Sequence, residues 1–176
     1  MGIEIKSPHE IEMMRQTGRI VAAILAVLKK NIKPGIITKE LDDLTVEELK
    51  RYGAKSSSKG YRGYPAHVCV SVNDELVHGI PGKRVLNEGD IVTVDFSAVY
   101  DGFHADAART VAVGRISEQT KQLLETTEEA LKIGIEHAIG GSHLGDVSAA
   151  IQSFIEARGF SVVREYAGHG IGRKLH

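Results

Sequence analysis

With 176 residues, 42% of them apolar, the chain is long enough to bury one real core and too short for two comfortable domains. Its 22 basic and 23 acidic residues leave a formal charge of -1, which gives no broad attraction to nucleic acid or lipid, so any partner must be recognised locally. The single cysteine, Cys69, excludes an internal disulfide framework and fits a reducing compartment.

Near the amino end, Ser7-Pro8-His9-Glu10 reads as a capping box with proline at the first helical position. Ile11, Met14, Gly18, Val21, Leu25 and Leu28 follow at spacings of three and four, which predicts an amphipathic helix ending near Lys33-Pro34-Gly35. The apolar run from Ile20 to Leu28 lies inside this pattern, has no small-residue cleavage site after it, and is well short of the roughly 20 residues that span a bilayer. The expectation is a soluble, cytoplasmic protein with no membrane partner. A second helix is predicted from about Thr38, with Leu41, Leu44, Leu49 and Tyr52 on its apolar stripe and Gly53 as its stop.

From Ala54 to Val113 the pattern changes to loops and strands. Lys59-Gly60-Tyr61-Arg62-Gly63-Tyr64-Pro65 is a glycine-rich loop; a strand is predicted at His67 to Val72, then a turn at Asn73-Asp74 and the segment Leu76 to Gly82. Two runs of β-formers then flank Asp101-Gly102, the pair that suits a two-residue hairpin turn with positive φ at both central positions. Counting outward pairs Tyr100 with Phe103, Val99 with His104, Ala98 with Ala105 and Ser97 with Asp106. Asp106 then lies diagonally across from Asp95 on one face of the ribbon. An aspartate in a strand is usually a solvent-facing edge residue. Two on one face, in strands rich in Val and Ala, repel unless they share a proton or a cation, which points to a metal site.

After Gly114 the helical period returns. Ser117 caps a helix carried by Leu123, Leu124, Thr127, Leu131 and Ile135, and a fourth helix after Ser142 runs through Leu144, Val147, Ile151, Phe154 and Arg158 to Gly159. Gly35 to Gly53 and Gly141 to Gly159 are each 18 positions apart, and each bracketed helix is followed by a strand-like segment and a His-Gly-Ile tripeptide, His78-Gly79-Ile80 and His169-Gly170-Ile171. This pattern reads as an internal duplication of a helix-helix-strand unit, with the two tripeptides facing a common cleft. The expected organisation is one domain over residues 1–176, with a first half at 1–115 and a partial second half at 116–176. In Gly168-His169-Gly170-Ile171-Gly172, glycines around the imidazole leave room for a ligand. Aspartate and histidine donors suit borderline divalent ions better than thiolate-type structural zinc, which leaves the strand residue Cys69 to packing.

Asp95 with Asp106, the run Tyr61 to Pro65 leading to Cys69-Val70-Ser71-Val72-Asn73, the segment Val77 to Pro81, and Gly168 to His176 together resemble type I methionine aminopeptidase over essentially the whole chain. The resemblance implies an α+β pita-bread fold, two pseudo-symmetric helix-helix-strand halves around an antiparallel sheet, with the second half incomplete. It implies a hydrolase that removes the N-terminal methionine of nascent polypeptides with a metal-activated water. Asp95, Asp106 and His169 become metal ligands, Asp106 bridging two divalent ions of the Co, Mn, Fe, Zn or Ni class. His78 and His176 become catalytic and substrate-contacting residues, and Tyr61, Tyr64, Cys69 and Leu175 line the methionine pocket. Partners implied are peptides with N-terminal methionine, nascent chains and the ribosome.

The family pattern continues beyond the histidine matched by His176 with an acidic, proline-containing segment and two glutamates that complete the metal cluster. Glu75, Glu136 and Glu165 match none of these motifs. The expectation is a fragment with at most a partial metal site and doubtful activity by itself. Its surface should expose apolar area and unpaired strand edge. Competing expectations are an X-Pro aminopeptidase relative and a catalytically inactive pita-bread module that binds peptides or proteins.

Overall fold

The computed structural model describes residues 3–176, which fall into two compact units: the chain up to Arg115 together with His169–His176, and Ile116–Gly168. In the first, helix α1 (Pro8–Asn31) opens on the expected capping box. The Ser7 hydroxyl accepts the Glu10 N–H, and the Glu10 carboxylate accepts the Ser7 N–H. Helix α2 (Thr38–Tyr52) ends on Gly53 in the left-handed conformation, as a glycine stop requires. Strands β1 (Lys55–Ser56), β2 (Cys69–Val72), β3 (Ile91–Tyr100) and β4 (Phe103–Ala112) form one antiparallel sheet. Strand β3 is its spine, pairing with β4 along one edge and with β2 and β1 along the other.

The hairpin follows the counted register throughout, with Tyr100 opposite Phe103 and Ser97 opposite Asp106. Asp101 and Gly102 carry φ of 48° and 82°, the two positive values that this turn demands. One face of β3 is apolar: Val92, Val94, Phe96 and Ala98 are fully buried and pack with Val21, Ile24, Leu25 and Leu28 of α1 and Leu41 and Leu49 of α2. Near the turn, the buried Thr17 hydroxyl of α1 reaches the Phe103 carbonyl at 3.2 Å, fixing the hairpin to the helix. The other face, with Asp95, Ser97, His104 and Asp106, is left for polar chemistry.

The second unit is the pair α3 (Glu118–His137) and α4 (Leu144–Glu156). Ser117 caps α3 as expected, and in the turn before α4 the Asp146 carboxylate accepts the His143 N–H. Gly134 lets the helices close: a β-carbon there would come within 2.7 Å of Ile151. Leu131, Ile135 and Leu144 are exposed. The strand-like segment expected after α4 forms no strand, because among the described residues nothing pairs with it and an unpaired segment gains no ladder bonds. The strand expected from His67 begins at Cys69.

Gly102→Ala should lower the stability of the chain by about 1 kcal/mol, because the new β-carbon meets only ordinary contact but must adopt positive φ. Chemical denaturation measures this loss; a variant as stable as the parent would contradict the turn assignment.

Candidate active site

The polar face of the hairpin gathers the candidate residues. Asp95 lies opposite Ala108 in β4 and opposite Cys69 in β2, so it is flanked on both sides within the sheet. Asp106 lies one diagonal step away. Burial pushes the Asp95 carboxyl up to about 6, and the charge and hydrogen bonding of Asp106 push in the same direction, opposed by His169. The Asp95 carboxyl therefore keeps its proton into the range in which free aspartates are ionised.

The carboxy-terminal segment of the first unit brings in the imidazoles. His169 Nε2 is 3.6 Å from Asp106 Oδ2, which is Coulombic range but longer than a hydrogen bond. The His176 ring lies 4.2 Å from the His169 ring, centre to centre, and stacks at 5.2 Å on Tyr61. Leu175 beside it is buried. Asp95, Asp106, His169, His176 and Tyr61 thus form a connected series. Among the described residues, however, no three His, Cys, Asp or Glu side chains form a closed metal-holding group. The oxygen, oxygen and nitrogen donors of Asp95, Asp106 and His169 nonetheless suit a borderline divalent ion, and a cation would offset the burial and the Asp106 charge that together raise Asp95.

Tyr64 and Cys69 pack beside this series. The Tyr64 hydroxyl donates to the Gly79 carbonyl at 2.8 Å, and burial raises its proton affinity well above the ordinary phenol range. Burial likewise pushes the Cys69 thiol up, opposed by a hydrogen bond with Tyr64, so Cys69 is a packed thiol rather than a nucleophile. Gly79 is wedged against β2. Its N–H donates to Ser71 Oγ, its carbonyl accepts the Val70 N–H, and a β-carbon would overlap the Val70 carbonyl oxygen. His78 precedes this wedge with φ of 59° and an exposed side chain; among the described residues no hydrogen bond joins it to the carboxylate pair.

His104 was not singled out from the sequence, although its spacing of two from Asp106 on a strand already gives it the same face. Its Nδ1 lies 2.8 Å from Ser57 Oγ, and burial holds its imidazole below the usual histidine range. A separate cavity of about 340 Å³ is lined by Val46, Leu49, Ala54, Ser56, Lys59 and His67 and shares no residue with the Asp95 to Tyr61 series.

The profile of metallopeptidase family M24 matches residues 12–176. Methionine aminopeptidase 1 of Bacillus subtilis is 53% identical over 171 residues, covering 97% of this chain and 69% of that protein. The Escherichia coli K12 methionine aminopeptidase is 43% identical over 178 residues, covering 67% of its own length. Among solved structures, methionine aminopeptidase from Thermotoga maritima superposes with a TM-score of 0.97 at 46% identity, covering 99% of this chain and 71% of that one. An X-Pro aminopeptidase from Thermotoga maritima reaches 0.80 at 25% identity and is covered over 48% of its length. The chain belongs to metallopeptidase family M24 and, within it, to the methionine aminopeptidases. Its α+β architecture is the pita-bread fold that these structures share, and the chemistry of the family depends on divalent metal. No helix is long and apolar enough to cross a membrane among the described residues.

The raised Asp95 has a measurable consequence. Because its folded proton affinity exceeds the ordinary carboxylate value of 3.8, the folded chain holds more protons than the unfolded one between about 4 and about 6. Metal-free stability should therefore fall as pH rises through that window, and Asp95→Asn should flatten the fall. Denaturation series at pH 4, 5, 6 and 7 would measure both; equal slopes for parent and variant would contradict the carboxyl pairing.

Proposed function

We propose that this chain carries the core of an enzyme that removes N-terminal methionine from newly made polypeptides by metal-dependent hydrolysis. The observation that supports this most is the convergence of Asp95, Asp106 and His169 from two strands and a distant segment, in a chain whose relatives are methionine aminopeptidases. Asp95, Asp106 and His169 would hold divalent metal ions of the Co, Mn, Fe, Zn or Ni class. Bound metal supplies Lewis-acid polarisation and a water of lowered pKa near neutral pH.

The protein's own groups then bind and orient the peptide. His176, held in the stack between His169 and Tyr61, donates a hydrogen bond to the scissile carbonyl. His78 contacts the peptide near its amino end and leaving nitrogen. Tyr61, Tyr64, Cys69 and Leu175 form the methionine pocket. With its hydroxyl turned onto the Gly79 carbonyl, Tyr64 offers the thioether an aromatic face. The partners are nascent chains with N-terminal methionine, with the ribosome that presents them as a docking partner. The lone free thiol, Cys69, fits the reducing cytoplasm.

Cleavage of Met-Ala or Met-Gly peptides should require added divalent metal and be abolished by chelation. Asp106→Ala should lower it by roughly 100-fold, since loss of this carboxylate would remove a negative donor and the counter-charge for bound metal together. Undiminished turnover after thorough chelation contradicts the reading. The 176 residues supply three donors, and we expect little turnover from them alone with Mn(II) or Co(II); brisk hydrolysis would show that no further acidic donors are needed.

A further inference from the structure

The segment that carries His169 and His176 is irregular throughout, so no helix or ladder sets where its imidazoles lie. One side chain ties its middle to the hairpin and to α1. Arg173 Nη2 donates to Glu10 Oε1 at 3.0 Å, and the guanidinium carbon sits 4.3 Å from the centre of the Phe103 ring. Both partners are held in advance. Glu10 spends its other oxygen, Oε2, on the Ser7 N–H in the cap of α1, and Phe103 is buried with its carbonyl on the Thr17 hydroxyl. Beside this clamp the Gly172 carbonyl accepts the His104 N–H at 2.8 Å, on the edge of β4 that faces away from β3.

We propose that Arg173 is the positioning residue of this site: gripped by the Glu10 carboxylate and the Phe103 ring, it lays the His169–His176 segment along β4 and so sets His169 against Asp106. An exposed ion pair alone contributes little because two mobile side chains must be ordered to form it. Here the acceptor is already immobilised by the helix cap and the ring by the core, so Arg173 supplies most of the ordering, and the cation–π contact adds to it. Arginine suits this role better than lysine, since only the planar fork stacks on the ring while donating sideways to a carboxylate. The consequence for metal rests on the ligand assignment proposed above; the docking of the segment does not.

The test compares the parent with Arg173→Met, Arg173→Lys and His169→Ala, reading amide hydrogen exchange and Mn(II) affinity. Arg173→Met should speed exchange of the His104 amide roughly 3- to 10-fold while leaving the Val94 amide in the core of β3 unchanged, with Arg173→Lys intermediate. It should also weaken Mn(II) binding about tenfold, as loss of an outer positioning contact does. Electrostatics alone would not weaken binding, because deleting a cation cannot reduce the attraction of the site for another cation. Unchanged His104 exchange in Arg173→Met overturns the proposal, and so does Mn(II) affinity that is unchanged or stronger while His169→Ala abolishes it. If Arg173→Met does not fold, the lysine variant decides by the same two readings. Where parent and His169→Ala bind Mn(II) equally, or neither binds, the ligand assignment fails, and His104 exchange alone decides whether Arg173 docks the segment.

Discussion

The register of the β3–β4 hairpin is the constraint on which the site rests. Side chains alternate across a strand, so burying Val92, Val94, Phe96 and Ala98 against α1 and α2 commits Asp95 and Ser97 to the opposite face. The two-residue turn at Asp101 and Gly102 then brings Asp106 onto that same face. A slip of one residue would send both carboxylates into the apolar core and the core residues to solvent. The cost of that exchange makes the acid pair a by-product of hydrophobic packing: the fold holds two repelling groups together because separating them would dismantle its centre.

Around that pair the protein uses positions that tolerate little change. Gly79 has no room for a side chain between its own segment and Val70, which seats the residue after His78 on the edge of β2. The Tyr64 hydroxyl caps the same glycine. These contacts lock the walls of the site into the sheet, whereas the imidazoles of His169 and His176 arrive on an irregular segment held by side-chain contacts and a single edge hydrogen bond. Rigidity is unevenly shared: acidic groups come from a ladder, nitrogen donors from a strap.

Much of this was legible in the amino-acid string because it depends on local rules. The Ser7 to Glu10 capping box, the glycine stop at Gly53 and the Asp101-Gly102 turn act over a few residues, and the pairing of Ser97 with Asp106 follows from the turn by counting. The approach of His169 to Asp106 is different in kind. It spans 63 positions and no periodicity encodes it; glycines around His169 hinted at a ligand, and the family resemblance supplied the rest. His104 was overlooked because its neighbours read as ordinary strand, although alternation placed it beside Asp106. The strand expected after α4 failed for a non-local reason, since a β-forming stretch becomes a strand only when another lies beside it. The Arg173 clamp was equally invisible, because Glu10 looked fully employed as a helix cap and only its second oxygen is free to take the guanidinium.

The most direct measurement of the central claim is a crystal of the chain soaked in Mn(II), with anomalous scattering used to find the ion. The account predicts a peak about 2.0–2.3 Å from carboxylate oxygens of Asp95 and Asp106 and from a ring nitrogen of His169. A peak that touches only one of these residues, or that lies in the cavity lined by Val46, Leu49 and His67, would contradict it.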